Sequence, residues 1–376
     1  MEHNYTVCTR CVCDSRIPGI KFDVKGECNY CKINDVLEKE FPLGEAGKRN
    51  FANLIAKIKK AGYGKEYDCV VGVSGGRDSS YTLYLAVRNG LRPLAVHFDN
   101  GWNSDTAVKN IKQITKALNV DLHTLVADWE EFKELQKSFL KASTPDAEVP
   151  TDYVIISTLY KLAKEINVKY ILSGHSFRTE GVSPLRWTYM DGRYIKSVHK
   201  KFSNVPLKSF PVLSLTELAY SSVIKGIRYI PFLSYLDYTH KEAEEHLKEI
   251  GWQYYGGHHY ECVYTRFFQS YLCPNKFNID ERIIEYSALI RSGQLTREEG
   301  LEKIKKPYAF DKTLIEYVIS KLGLTQEEFQ KILTDKPKSF LDYPTYYPTM
   351  QLFKYPIKIA GKIKLLPSIF YQKYFE

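Results

Sequence analysis

The sequence predicts an α/β protein built on a doubly wound parallel sheet, with a cysteine-bearing module in front and a mainly helical region behind. Three observations carry this. Short apolar runs over 69–73, 94–98, 122–126 and 169–172 alternate with helical patterns over 79–89, 104–118, 129–140 and 152–166. Such alternation argues for parallel strands joined by crossover helices on both faces. The first run ends in Ser74-Gly75-Gly76-Arg77-Asp78-Ser79-Ser80 and passes straight into a helix. Two C-x-x-C pairs precede the whole pattern.

Cys8, Cys11, Cys28 and Cys31 form those pairs, sixteen residues apart. The spacing suits two turns that each offer two thiolates to one tetrahedral ion, so the first expectation is a structural zinc site. An iron–sulfur cluster uses the same ligand type and stays open from spacing alone. Cys13 is an alternative to Cys11 and reads first as a bystander. A charged helical stretch follows over 33–60.

The 74–80 turn is the most informative stretch. Adjacent glycines allow a tight turn whose N–H groups converge on an anion. The helix start adds unpaired donors and the positive end of its dipole. Backbone from Val73 through Gly75 and Gly76, with the hydroxyls of Ser74, Ser79 and Ser80, is expected to hold a polyphosphate. Asp78 is expected to hold Mg2+ or cap the helix. The Gly-Lys-Ser/Thr ending of the other common phosphate loop is absent.

Ligands of such sheets sit outside the carboxyl ends of the strands, so residues ending later strands are expected nearby. The second strand closes on His97, Phe98 and Asp99, and the resemblance of the 74–80 turn to the PP-loop ATP pyrophosphatases implies that backbone around His97 to Asp99 contacts adenine or ribose. The fourth closes on Ser173-Gly174-His175-Ser176-Phe177-Arg178-Thr179-Glu180. There Gly174 allows close approach to a nucleotide, and Arg178 and Glu180 offer charge for phosphate and metal. His175 reads equally as a substrate contact or a hydrogen-bonded structural histidine. Asp152 reads first as a helix cap. Between 186 and 261 the chain mixes aromatic and basic residues, and Gly256-Gly257-His258-His259-Tyr260-Glu261 sets two glycines beside two histidines and an acid. His259 and Glu261 are expected to join the site.

Composition bounds the rest. The chain of 376 residues is 44% hydrophobic and 14% aromatic, enough for a large core. Basic residues exceed acidic ones 53 to 44, giving +9, which favours anionic ligands without choosing among them. No run approaches a membrane span and the start is not signal-like, so a cytoplasmic protein with reduced cysteines is expected.

The S-G-G-x-D-S turn in this setting resembles the PP-loop ATP pyrophosphatases. That resemblance implies cleavage between the α- and β-phosphates of ATP, leaving AMP on a substrate oxygen. The cysteine pairs, Pro150-Thr151-Asp152, the 174–181 segment, Trp187, the 256–261 segment and Leu289-Ile290-Arg291 through Glu299 together resemble the N-acetyl sugar amidotransferase family over roughly residues 8–305. One departure is His258, where a lysine is expected. The tail beyond about Lys306 carries no match, and its basic, aromatic end reads first as packing on the core.

The resemblance implies an enzyme of lipopolysaccharide or O-antigen biosynthesis. It would convert the N-acetyl group of a UDP-linked sugar into an acetamidino group by O-adenylation and attack of ammonia. ATP, Mg2+ and structural Zn2+ are the implied cofactors, and Asp78, His175, Arg178, Glu180, His259 and Glu261 the implied catalytic set. Position 2 is Glu rather than Cys, and Cys69, Cys262 and Cys273 lack a nucleophile context. The implied ammonia source is therefore a separate glutaminase with a barrel-like channelling partner, similar to the histidine-biosynthesis pair. The expected units are 1–40 (knuckle and linker), 41–255 (PP-loop domain) and 256–376 (a helical region completing the site). The rival enzyme is a tRNA sulfurtransferase, but no second C-x-x-C lies near the active site. A nucleic-acid-binding module lacks a compact basic stripe, so nucleic acid is not the expected partner.

Overall fold

The computed structural model describes residues 5–257, 259–362, 371 and 374–375. Helices α1 (Asn29–Glu40) and α2 (Gly44–Gly62) lead into β1 (Cys69–Gly72), α3 (Arg77–Arg88), β2 (Pro93–Asp99), α4 (Asp105–Leu118), β3 (Leu122–Val126), α5 (Trp129–Ala142), α6 (Val149–Glu165) and β4 (Tyr170–Ser173). The expected single stretch over 33–60 is two helices, because Pro42 cannot continue α1. After α7 (Gly192–Phe202) and α8 (Leu215–Ala219) the chain forms a fifth strand, β5 (Arg228–Pro231), and then α9 (His240–Glu249).

The strands are parallel in the order β3-β2-β1-β4-β5. Alternate side chains pack on opposite faces. Val70, Val96 and Ile171 meet Leu159, Tyr160 and Ala163 of α6. Val71, Ala95 and Leu172 meet Leu54 and Ile58 of α2, Leu83 of α3 and Ile114 of α4. Burial on both faces is why these strands read as continuous apolar runs.

From β1 the chain winds outward through β2 and β3, then returns to place β4 on the other side of β1. The order reverses between β1 and β4, and a crevice opens there at the strands' carboxyl ends. The remaining helices are α10 (Val263–Phe267), which widens into π-helical turns over Phe268–Phe277, α11 (Arg282–Arg291), α12 (Arg297–Lys305), α13 (Lys312–Leu322), α14 (Gln326–Thr334), α15 (Tyr347–Leu352) and α16 (Lys354–Lys362). Helices α10 to α15 share an aromatic core with α5 and α7, in which Phe139, Tyr194, Tyr264, Phe267, Phe329 and Phe340 are buried. No helix among the described residues is long and apolar enough to cross a membrane.

Candidate active site

A cavity of ≈ 480 Å³ fills the crevice between β1 and β4. The 74–79 turn forms its floor. Gly75 has φ +80, and a Cβ there would lie 2.3 Å from the Ala107 carbonyl oxygen, so this turn requires glycine. The Gly75 carbonyl accepts from Trp252 Nε1 at 3.0 Å and Asn110 Nδ2 at 3.1 Å, and Asn110 also joins Gln253 in both directions. These bonds hold the turn from behind. Inside it, Ser79 Oγ accepts from Ser74 N–H at 3.1 Å, and Ser74 Oγ accepts from Gly76 N–H at 3.2 Å. Val73, Ser74, Gly76, Asp78 and Ser79 line the cavity. Gly75, which backs onto α4, and Ser80, only 2% exposed inside α3, do not line it, contrary to expectation.

Asp78 opens α3 and is gripped from two sides. Its Oδ1 accepts from Arg77 Nε at 3.0 Å and from the buried Tyr238 hydroxyl. Arg77 also bridges to Glu244 of α9 at 3.0 Å, and its N–H donates to Tyr255 Oη at 3.3 Å. Tyr238 carries no sequence signal, since it belongs to no motif and lies more than 150 residues from the loop, whereas Tyr255 directly precedes the glycine- and histidine-bearing 256–261 segment.

His97 lines the cavity, its Nδ1 2.9 Å from the Val73 carbonyl and its Nε2 3.1 Å from Asn103 Nδ2. Burial lowers its pKa. Asp99 does not line the cavity. Its Oδ1 instead caps the next turn, accepting from Gly101 N–H and Asn103 Nδ2.

Beyond β4, Gly174 and His175 line the crevice with Glu180. Gly174 does permit a close approach, but to protein: a Cβ would lie 2.8 Å from the backbone of Asp78 and Ser79. His175 Nδ1 lies 2.5 Å from Glu180 Oε2. Arg178, expected among the phosphates, turns the other way and is 2% exposed. It binds Glu38 of α1 through Nε and Nη2, and the carbonyls of Ser234 and Phe41. Its charge is consumed in joining α1 to the sheet, and it does not line the cavity.

The segment before α10 closes the site. Residues 103 and 262 form an antiparallel bridge, and the Glu261 carbonyl accepts from Ser104 N–H at 2.8 Å. This lays Glu261 over the phosphate turn, where a Cβ on Gly76 would lie 2.8 Å from its Oε1. His259 adopts φ +56, a left-handed conformation uncommon outside glycine, and its Nδ1 lies 3.5 Å from Glu261 Oε1. Burial disfavours an imidazolium there. The Glu261 hydrogen bond and the charges of Glu261, Glu180 and Asp78 outweigh it and raise the pKa to about 10. The departure at His258 lies outside the described residues.

A second cavity of ≈ 510 Å³ shares Arg77, His175, Glu180, Trp187, Tyr255 and His259 with the first. Tyr254, Tyr286 and Tyr308 add an aromatic wall, with Glu281 and Glu285 among them. Burial pushes Glu281 and Glu285 up to about 7, against the pull of His259. Glu148, in the first cavity, is raised well above its usual range by burial and by the neighbouring Asp152. Carboxylates thus outnumber cations around a crevice whose turn is built for an anion.

The sulfurs of Cys8, Cys11, Cys28 and Cys31 all lie within 4.8 Å of one another, with Cys8–Cys31 at 3.8 Å and Cys11–Cys28 at 3.7 Å. Four thiolates each about 2.3 Å from one tetrahedral ion stand roughly 3.8 Å apart, so the cluster fits a single metal. Cys13 stays outside it and donates to Ser287 Oγ at 3.2 Å. Arg297 binds the carbonyls of Cys8 and Cys11, and Arg291 Nη1 lies 3.9 Å from Cys31 Sγ. The knuckle therefore sits on α11 and α12, and α11 lines the second cavity through Arg282, Ile284, Glu285, Tyr286 and Leu289.

Two family models match. One, queuosine biosynthesis protein QueC, covers residues 68–179. The other, LPS biosynthesis protein WbpG-like, C-terminal domain, covers residues 261–356. An uncharacterized protein of Methanocaldococcus jannaschii is 24% identical over 309 residues, 80% of this chain and 93% of that one. Among solved structures, the U34-tRNA thiolase NcsA of Methanococcus maripaludis, with its [4Fe-4S] cluster, is 14% identical over 77% of this chain and 87% of its own, at TM-score 0.33. The ammonia-dependent NAD synthetase of Campylobacter jejuni is 13% identical over 70% and 99%, at TM-score 0.31. Likeness at that level has no bearing on function. Residues 68–179 are thus similar to QueC and residues 261–356 to the C-terminal domain of WbpG-like LPS biosynthesis proteins, in keeping with the PP-loop and sugar-modifying families that the motifs resemble.

Proposed function

We propose that the protein is an ATP-dependent amidotransferase that converts the N-acetyl group of a nucleotide-linked sugar into an acetamidino group. One observation carries the reading. The WbpG-like domain, from Glu261 onward, supplies Glu261, Thr265, Gln269 and Glu281 to the same cavity that the phosphate turn floors. A domain shared with LPS biosynthesis proteins thus completes an ATP-using crevice, which favours a sugar as the second substrate.

An amide carbon is a poor electrophile. Transfer of AMP to the amide oxygen releases pyrophosphate and a proton and leaves an O-adenylyl imidate. Ammonia then attacks that carbon, and AMP departs with the original acetyl oxygen. The turn amides and the Ser74 and Ser79 hydroxyls would exchange their internal bonds for phosphate oxygens. This places donors where charge grows on the departing pyrophosphate. Asp78, held by Arg77 and Tyr238, is the carboxylate we assign to Mg2+, with Glu180 and Glu261 as further oxygen donors. Mg2+ would neutralise phosphate charge in a crevice already rich in carboxylates. His259 keeps a positive charge beside these acids. The tyrosines of the second cavity offer flat faces to the sugar. We assign Zn2+ to the four cysteines as a structural ion, with the knuckle, PP-loop domain and helical region as the three units. A separate glutaminase and barrel partner would supply the ammonia.

For the sulfurtransferase reading, Cys262 is the cysteine among the described residues that lines the cavity, and burial pushes its thiol up to about 12. That disfavours the thiolate sulfur transfer needs. The test is to supply ATP, Mg2+, ammonium chloride and a panel of UDP-linked N-acetylated sugars, and to follow AMP. AMP formation dependent on one sugar supports the proposal. AMP formation with tRNA and a sulfur donor instead, and with none of the sugars, refutes it.

A further inference from the structure

Residues 343–375 contain Lys354, Lys358, Lys362, Lys364 and Lys373 and no aspartate or glutamate. Within this run, α15 ends on Leu352 and α16 begins at Lys354. Leu352, Tyr355 and Ile359 are 81%, 78% and 61% exposed within eight residues of one another, a grouping rather than scattered single positions. On α16, Tyr355 and Ile359 fall within a sector of roughly 40° at 100° per residue, and Leu352 and the 54% exposed Phe353 stand just before that helix. Lys358 is exposed on the flank of that sector. The other side of the helix faces protein: Ile357 and Ala360 are half-buried, and Lys354 Nζ reaches the Phe375 carbonyl at 3.3 Å. Tyr374, 8% exposed, ties the segment to the main body through Met190, whose carbonyl accepts its hydroxyl at 3.4 Å, and through the Tyr189 ring at 5.9 Å. The apolar edge is therefore held outward.

We infer that this face is a peripheral docking surface for an anionic lipid bilayer. An aliphatic and aromatic ridge beside the exposed Lys358, in a run that is lysine-rich by sequence, matches the chemistry of the headgroup boundary, where apolar groups enter the acyl region and lysines meet lipid phosphates. An acid-free run suits a diffuse negative surface, whereas a partner protein with mixed charges leaves its basic groups facing nothing complementary. A second copy of the face would set lysine against lysine. No helix among the described residues crosses a membrane, so attachment is by adsorption.

The test is co-sedimentation of the full chain with phosphatidylcholine vesicles, with and without phosphatidylglycerol. Binding only to the phosphatidylglycerol vesicles, falling as salt rises, is expected. A Leu352→Asp, Tyr355→Asp, Ile359→Asp variant with unchanged melting should bind at least about tenfold more weakly. Lys358→Glu should lose several-fold. The proposal is overturned if neither vesicle sediments the protein, if both do so equally, or if the folded triple variant binds as well as the parent. It is also overturned if light scattering shows a dimer that the triple variant abolishes while vesicles bind neither form.

Discussion

The phosphate turn contains two neighbouring glycines that the structure uses in opposite ways, and alanine at each separates them. At Gly75 a Cβ meets the backbone carbonyl of Ala107 at 2.3 Å in a conformation with φ +80. Backbone of a buried helix start cannot retreat cheaply. The left-handed conformation costs about 1–2 kcal/mol for a residue with a Cβ, and the forced contact adds about 1–3 kcal/mol. Gly75→Ala should therefore lose roughly 2–5 kcal/mol, a large share of a domain's stability. At Gly76 φ is −71, ordinary for any residue, and the Cβ meets Glu261 Oε1 at 2.8 Å and Ser74 Oγ at 3.1 Å. Both are ends of side chains that can rotate away. Gly76→Ala should unfold within about 1 kcal/mol of the parent yet displace Glu261 and lose most AMP formation. Urea unfolding read by fluorescence, with pyrophosphate release on the same samples, checks both. A Gly75→Ala protein of parental stability, or a Gly76→Ala protein of parental activity, would refute the reasoning.

Other expectations follow from the same geometry. Asp78→Asn should abolish pyrophosphate release with little change in melting temperature, while Tyr238→Phe, which removes one buried donor to a charged partner, should weaken Mg·ATP binding by about 1.5–3 kcal/mol in a titration. Arg178→Met should behave in the reverse sense. It leaves two buried carbonyls and Glu38 without their donor, so stability falls by about 3 kcal/mol in urea while the affinity for ATP holds. His259 has a folded pKa of about 10, above its ordinary 6.5, so its stabilising contribution is complete below about pH 6.5 and is lost as pH rises through about 10. Comparing His259→Gln with the parent by thermal melting over that window should show the gap closing as pH rises. Cys8→Ser or Cys28→Ser should cut bound metal and lower stability. Metal stoichiometry by emission spectroscopy checks this, and full occupancy in both variants would place the ion elsewhere.

The sheet was legible because the central strands β1, β2 and β4 leave apolar runs, while β3, exposed at four of its five residues, was legible through the alternation with helices; all four lie within two residues of their observed ends. β5 escaped because Arg228–Pro231 is a short, half-buried edge strand ending in proline. Within the site, the 74–80 turn could be read because its function depends on local backbone. Arg178 misled because a motif fixes the order of residues, not the side of the chain on which each side chain emerges. It lies two residues from Glu180, which does line the cavity. Tyr238 and Asn110 gave no local signal at all, since each acts only after the fold brings it to the turn. The Arg291–Arg297 segment was legible as a motif but not as the seat of the cysteine knuckle, because that contact spans almost the whole chain.

The central claim is that AMP is transferred to the oxygen of an N-acetyl group. The most direct test uses a UDP-linked sugar whose acetyl oxygen is 18O, with ATP, Mg2+ and 15N-ammonium, and mass spectrometry of both products. The proposed chemistry predicts 18O in the phosphate of AMP and 15N in the sugar's new amidine. AMP without the label, or a sugar that keeps its acetyl oxygen, would contradict it.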